Sequence, residues 1–172
     1  VPYLPLDPKH VGRTYEAVIR VNSQSGKGGV AYVLNRDYGL DLPRWLQVDF
    51  SSAVQAMAER SETEVQSKDI YDLFLETYHI SGAGMSVGNY QLARDERVDR
   101  LTVQISGLEG SPTLSGNGAG VVGAFTDAIS AHTGHKIIVV EYSEHTLGSD
   151  ADADAICYVQ LAIDGSRVCG VG

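Results

Sequence analysis

Several side-chain groupings in the chain have types and spacings that could do chemistry. The loop Ser25-Gly26-Lys27-Gly28-Gly29 sets glycine amides beside a lysine, the ingredients of a phosphate cradle. A phosphate-binding loop also needs a glycine five residues before the Gly-Lys pair and a Ser or Thr after the lysine. Val21 and Gly28 stand there, so a glycine-rich hinge is the commoner explanation. Asp150, Asp152 and Asp154 have the alternate spacing of calcium ligands, but Ala155 and Leu161 occupy the places of the required glycine and glutamate. His132 with His135, and Glu141 with His145, lack the third ligand and the helical setting of a zinc site. No serine or cysteine sits in a nucleophile elbow, so neither catalytic nor metal-binding residues are assigned. The remaining feature is a doubled glycine turn, Gly118-Ala119-Gly120 and Gly170-Val171-Gly172. The first precedes a helix start, where free amides and the helix dipole can hold the carboxylate of a small anionic or zwitterionic ligand. Tight strand-to-helix packing explains the same glycines equally well.

These residues have to be positioned by an α+β arrangement. Pro2, Pro5 and Pro8 make segment 1–14 an extended arm, and Tyr15 to Val21 reads as a short strand or an irregular helix. The glycine loop then opens a short helix over Val30 to Asn35. Trp45, Leu46, Phe50, Val54, Met57 and Ala58 recur at helical spacing within residues 43–60, with Pro43 suited to the first turn. Ser67 sits where an N-cap would, ahead of a stripe of Ile70, Leu73, Phe74 and Tyr78. After Ser81-Gly82-Ala83-Gly84 the period changes from helical to alternating, which places a domain boundary near residue 80, between units 1–80 and 81–172. Met85 to Leu92, Val98 to Ile105 and a segment near Thr113 read as strands that feed a helix from Val121 to Ala131, with Val122, Phe125, Ala128 and Ile129 as its stripe and Gly134 as its stop. The order restarts with Lys136 to Tyr142, Ala155 to Ile163 and Arg167 to Gly170. The second unit is therefore a βββα repeat lacking its final helix, a gap expected to leave apolar sheet surface uncovered unless another chain pairs with it or the sheet loosens locally.

Composition narrows the partners. The 172 residues carry 13 Lys and Arg against 22 Asp and Glu, a net charge of −9. With a pI near 4.9 and no basic run, the chain is not suited to nucleic acid or to an anionic membrane. No apolar stretch approaches the roughly 20 residues of a spanning helix. Cys157 and Cys169 are too few for a stapled secreted scaffold, which points to the interior of the cell. Val1 opens the sequence with no initiating Met and no signal-peptide pattern, so the chain reads as a fragment of something longer.

A family likeness is carried by Pro2-Tyr3-Leu4-Pro5-Leu6-Asp7-Pro8, Val11-Gly12-Arg13 and the run Arg20-Val21-Asn22-Ser23-Gln24-Ser25-Gly26-Lys27-Gly28-Gly29. These resemble 2-isopropylmalate synthase of the long actinobacterial kind. Glu141-Tyr142-Ser143-Glu144-His145 and Ala155-Ile156-Cys157-Tyr158-Val159 resemble the leucine-sensing domain of the same family. The resemblance implies a cytoplasmic parent acyltransferase whose (β/α)₈ barrel, with a divalent metal, condenses acetyl-CoA with 2-oxoisovalerate. This chain lacks the barrel, and is expected to be inactive alone and to need no cofactor. Residues 1–80 would be linker subdomains. Residues 81–172 would be the allosteric domain of two βββα units that binds L-leucine as a homodimer and contacts the parent's barrel. The implied leucine pocket takes backbone groups from Gly118 and Gly120 with Val122 and Gly123 at the helix start, and an apolar wall from Val139, Tyr142, Thr146, Ala153 and Ala155. Two departures bear on affinity: Val121 stands where the family usually has Pro, and Thr146 where it commonly has Ala. Alternatives of other kinds are a citramalate-synthase-like domain sensing isoleucine and a nucleotide- or phosphate-binding enzyme using Gly26-Lys27-Gly28-Gly29.

Overall fold

The computed structural model describes residues 27–60, 65–80, 84–95, 97–148 and 152–172. The proline arm, the Tyr15–Val21 segment, Ser23 to Gly26, Ser81 to Ala83 and Asp150 lie outside the described residues. Among the described residues the order is α1 (Lys27–Tyr38), α2 (Arg44–Arg60), α3 (Ser67–Thr77), β1 (Ser86–Arg94), β2 (Asp99–Ser106), β3 (Thr113–Gly118), α4 (Val121–Thr133), β4 (Ile137–Thr146), β5 (Ala155–Ile163) and β6 (Ser166–Val171). The strands form two antiparallel sheets, β1-β2-β3 and β4-β5-β6, an α+β arrangement.

The helical segment differs from the sequence reading at two termini. α1 starts at Lys27, so Gly28 and Gly29 belong to its first turn and not to a hinge. The cap of α3 is Gln66, not Ser67. The Asp69 carboxylate reaches back to the Gln66 amide at 3.0 Å, which fixes the start one residue earlier. The Ser67 hydroxyl is thereby free to donate to Asp37 on α1 at 2.6 Å. Pro43 ends up just ahead of α2, its carbonyl accepting from the Leu46 and Gln47 amides.

α1 to α3 bury Val33, Leu34, Leu46, Phe50, Ile70 and Phe74, in agreement with the helical spacing of the last four. Phe50 and Phe74 meet edge to face with ring centroids 5.2 Å apart, and Tyr38 stacks flat on Tyr71 at 3.9 Å. The same cluster contains Ile156 and Tyr158 of β5, with Cys169 and Val171 of β6 packed against it. One face of the second sheet is therefore covered by the helical segment, while the opposite face, bearing Val159, Leu161 and Val168, stays open, so apolar sheet surface is left uncovered there as expected. The apolar side chains of β5 at even positions are buried by elements more than 80 residues upstream in sequence, a long-range pairing that no local period reports.

The first sheet has its own core. Leu101, Val103 and Ile105 alternate on β2 and, with Leu114 of β3, pack under Ala124 and Ala128 of α4, with Phe125 and Ile129 at the margin. Gly107 and Gly110 adopt φ of 90° and 77° in the β2–β3 connection, and Gly134 closes α4 in the left-handed region at φ 74°.

Candidate functional site

The β3–α4 junction positions four of the predicted residues, Gly118, Gly120, Val122 and Gly123. Gly116 and Gly118 are two apart on β3 and so project toward the same side, where α4 lies. A Cβ on Gly118 would stand 2.5 Å from the carbonyl carbon of Gly123 and nearer still to the nitrogen of Ala124. A Cβ on Gly116 would stand 2.9 Å from the Cα of Ala128 and nearer still to the carbonyl oxygen of Ala124. Backbone thus meets backbone along this seam, and for Gly118 the packing explanation is the one realised. Gly116 was missed in the sequence, although its alternation with Gly118 was the available signal.

Gly120 behaves differently. It is the N-cap of α4 in an extended conformation (φ −169°, ψ 171°), and no atom lies within 4 Å of the place a Cβ would take. The first intrahelical bond runs from the Ala124 amide to the Gly120 carbonyl at 2.9 Å. The amides of Val121, Val122 and Gly123 precede it and have no acceptor within the helix. A glycine cap supplies no side-chain oxygen for them, so the positive end of the α4 dipole is uncapped by its own N-cap residue.

The other predicted residues lie on the second sheet. Val139 pairs with Leu161, Tyr142 with Val159 and Thr146 with Ala155. A bulge between Val139 and Glu141 lets Val139 and Tyr142 share a face although they are three apart, where regular pleating would oppose them. Val139, Tyr142, Thr146 and Ala155 are therefore on the face opposite the one covered by α1 to α3, together with Val159 and Leu161. Ala153 is half-buried in the β4–β5 connection. The Tyr142 hydroxyl donates to Glu144 at 2.5 Å, and that bond, helped by partial desolvation, pushes its pKa up to about 12. Thr146 donates to the Gly148 carbonyl at 3.0 Å, so its hydroxyl is engaged in the connection itself.

Eight of the nine residues thus form two groups, one at the head of α4 and one on the open face of β4 and β5, with Ala153 in the connection between those strands, and β4 is tied to α4 by the Ser130 hydroxyl, which accepts the Ile137 amide at 3.2 Å. Two surface depressions, of about 280 and 400 Å³, lie elsewhere, against α3 and against the polar side of β1 and β2. The second glycine turn does not copy the first. Gly170 pairs with Val159, and Gly172 exchanges bonds of 2.6 and 3.0 Å with Cys157, so its amide is spent on the ladder.

Two of the remaining polar candidates, His135 and His145, have structural partners. His135 lies 2.6 Å from Asp164, whose carboxyl is held below its ordinary range chiefly by the Lys136 amide and then by His135. His145 lies 2.9 Å from the Tyr158 hydroxyl, and burial pushes that phenol's pKa upward. Among the described residues no three His, Cys, Asp or Glu side chains gather as a metal site, and no helix is long and apolar enough to cross a membrane.

An α+β module of two three-stranded sheets, with an uncapped helix head between them in sequence, is the class this arrangement defines. Residues 64–172 match the family model described as LeuA allosteric (dimerisation) domain, and residues 1–35 match alpha-isopropylmalate synthase, post-catalytic domain-like. The chain belongs to the LeuA allosteric (dimerisation) domain family found in 2-isopropylmalate synthases. It is 46% identical over 178 residues to the 2-isopropylmalate synthase of Mesorhizobium japonicum, covering 100% of this chain and 32% of that protein. The corresponding enzyme of Thermobifida fusca is 47% identical, with 100% and 30% covered, and that of Mycobacterium leprae 43%, with 100% and 29% covered. The chain thus spans about a third of the length of these curated relatives.

Proposed function

We propose that the chain is the L-leucine-binding regulatory region of a cytoplasmic 2-isopropylmalate synthase, through which leucine lowers the rate of acetyl-CoA condensation with 2-oxoisovalerate. The observation that carries this reading is the uncapped first turn of α4 in a chain of the LeuA allosteric family. Three amides without helical acceptors suit a carboxylate, and the half-exposed apolar face bearing Val139, Tyr142 and Ala155 suits an isobutyl group. On this reading the chain works as a homodimer beside the parent's barrel, which holds the divalent metal and performs the chemistry. The chain itself takes no part in bond making and uses no cofactor.

Calorimetric titration with leucine tests the reading. Saturable heat at micromolar affinity, about 8 kcal/mol, is expected. Absence of heat at millimolar leucine refutes it. A parallel thermal-shift series with leucine, isoleucine and valine separates leucine from isoleucine as effector, and an equal response to ATP would restore the phosphate-binding alternative.

A further inference from the structure

Side chains on the end of β4 alternate between two environments. Tyr142, Glu144 and Thr146 share the open face, while Ser143 and His145 face the side on which α1 to α3 pack. His145 Nε2 accepts the backbone N–H of Asp41, in the α1–α2 connection, at 3.1 Å and lies 2.9 Å from the Tyr158 hydroxyl. A backbone amide can only donate, so Nε2 carries the lone pair, the Tyr158 hydroxyl shares it as a second donor, and the ring proton sits on Nδ1. That proton points to the Thr146 carbonyl, 3.1 Å away. Tyr158 is fully buried, and Leu40 and Leu42 on either side of Asp41 are buried in the same cluster. One imidazole thus ties a loop 104 residues away to the strand whose other face bears Tyr142 and Thr146.

We propose that His145 is a positioning residue that couples occupancy of the open face of β4 to the docking of the α1–α2 connection on the second sheet. The proposal rests on the effector reading above. A ligand seated against Thr146 shifts the peptide that holds the Nδ1 proton. The ring then turns relative to Asp41, because its two nitrogens are fixed to the two sides of the interface. Neither the family match nor the predicted pocket assigns this histidine a part.

The test uses the isotopically labelled chain, free and saturated with leucine, as wild type, His145→Gln and His145→Phe. Imidazole nitrogen signals should show the neutral Nδ1–H form in the wild type. Without ligand, the Asp41 amide should exchange about tenfold faster in His145→Phe, which lacks an acceptor, than in the wild type or in His145→Gln, whose amide oxygen replaces Nε2. Leucine should change Asp41 exchange in the wild type but not in His145→Gln, which keeps an acceptor for Asp41 but has no Nδ1–H for the Thr146 carbonyl, nor in His145→Phe, while all three still release binding heat. If His145→Phe does not fold, Tyr158→Phe, which keeps the ring and frees Nε2 for Asp41 alone, should retain the leucine response. Leucine heat with no change at Asp41 in the wild type overturns the coupling and leaves the effector reading standing. No leucine heat in any form overturns the effector reading and the coupling with it.

Discussion

Gly118 and Gly120 are two residues apart, yet substitution at each should fail for a different reason. In Gly118→Ala the new methyl must clear backbone atoms of Gly123 and Ala124, the former only 2.5 Å away. Real Cβ atoms do not approach closer than 3.0 Å, so α4 has to retreat by at least half an ångström along its contact with Leu101, Val103 and Leu114. Overpacking of this kind costs about 1–3 kcal/mol. In a chain of this size that lowers the melting temperature by roughly 2–12 °C. In Gly120→Asp nothing obstructs the side chain, and the extended backbone accepts any residue. Aspartate is a better cap than glycine by a few tenths of a kcal/mol, and its charge adds about 0.3–1 kcal/mol against the helix dipole. The variant should melt as high as the wild type or about 1–4 °C higher. Its carboxylate nevertheless occupies the amides of Val122 and Gly123, so leucine affinity should fall by about tenfold or more, at 1.4 kcal/mol per decade. Differential scanning calorimetry and isothermal titration on the same samples measure both quantities. Wild-type leucine affinity in Gly120→Asp would remove α4 from the binding site, and wild-type stability in Gly118→Ala would refute the backbone seam.

Asp37 is held at a pKa of about 2 by its bond to Arg36 and then by Ser67, below the ordinary 3.8. Its contribution to the α1–α3 tie should be complete above pH 4 and disappear as the pH falls through 2, and Asp37→Asn should remove that acid dependence in a denaturant series. Spectrophotometric titration should find Tyr142 ionising near pH 12, and Tyr142→Phe should delete that step. The Tyr78 and Tyr158 phenols, raised mainly by burial, should remain protonated beyond it. Gly134→Ala should cost about 1 kcal/mol because φ of 74° strains an L residue.

The period changes along the chain located the elements well because each has one dry side. The stripe Leu46, Phe50, Val54 and the alternation Leu101, Val103, Ile105 both map onto buried faces. Termini were less legible: Asp69 captured the Gln66 amide and displaced the cap from Ser67, a competition between neighbours that a residue preference alone does not rank. At the site, the uncapped head of α4 followed from Gly120 preceding an apolar helix. The common face of Val139 and Tyr142 did not, since it depends on a bulge set by pairing with β5. The association of Tyr158 with α1 to α3 was hidden for the same reason, because both the partner and the bond to His145 arise only when distant segments meet.

The glycine seam between β3 and α4 also limits how this domain can move. Rotating the helix about its own axis would drive the methyls of Ala124 and Ala128 into the strand, and sliding it would lose the close fit at Gly116 and Gly118. Helix and first sheet therefore travel as one stiff plate. The second sheet joins that plate through the short stretch from Gly134 to Lys136, where a left-handed glycine and the His135–Asp164 clasp stand side by side.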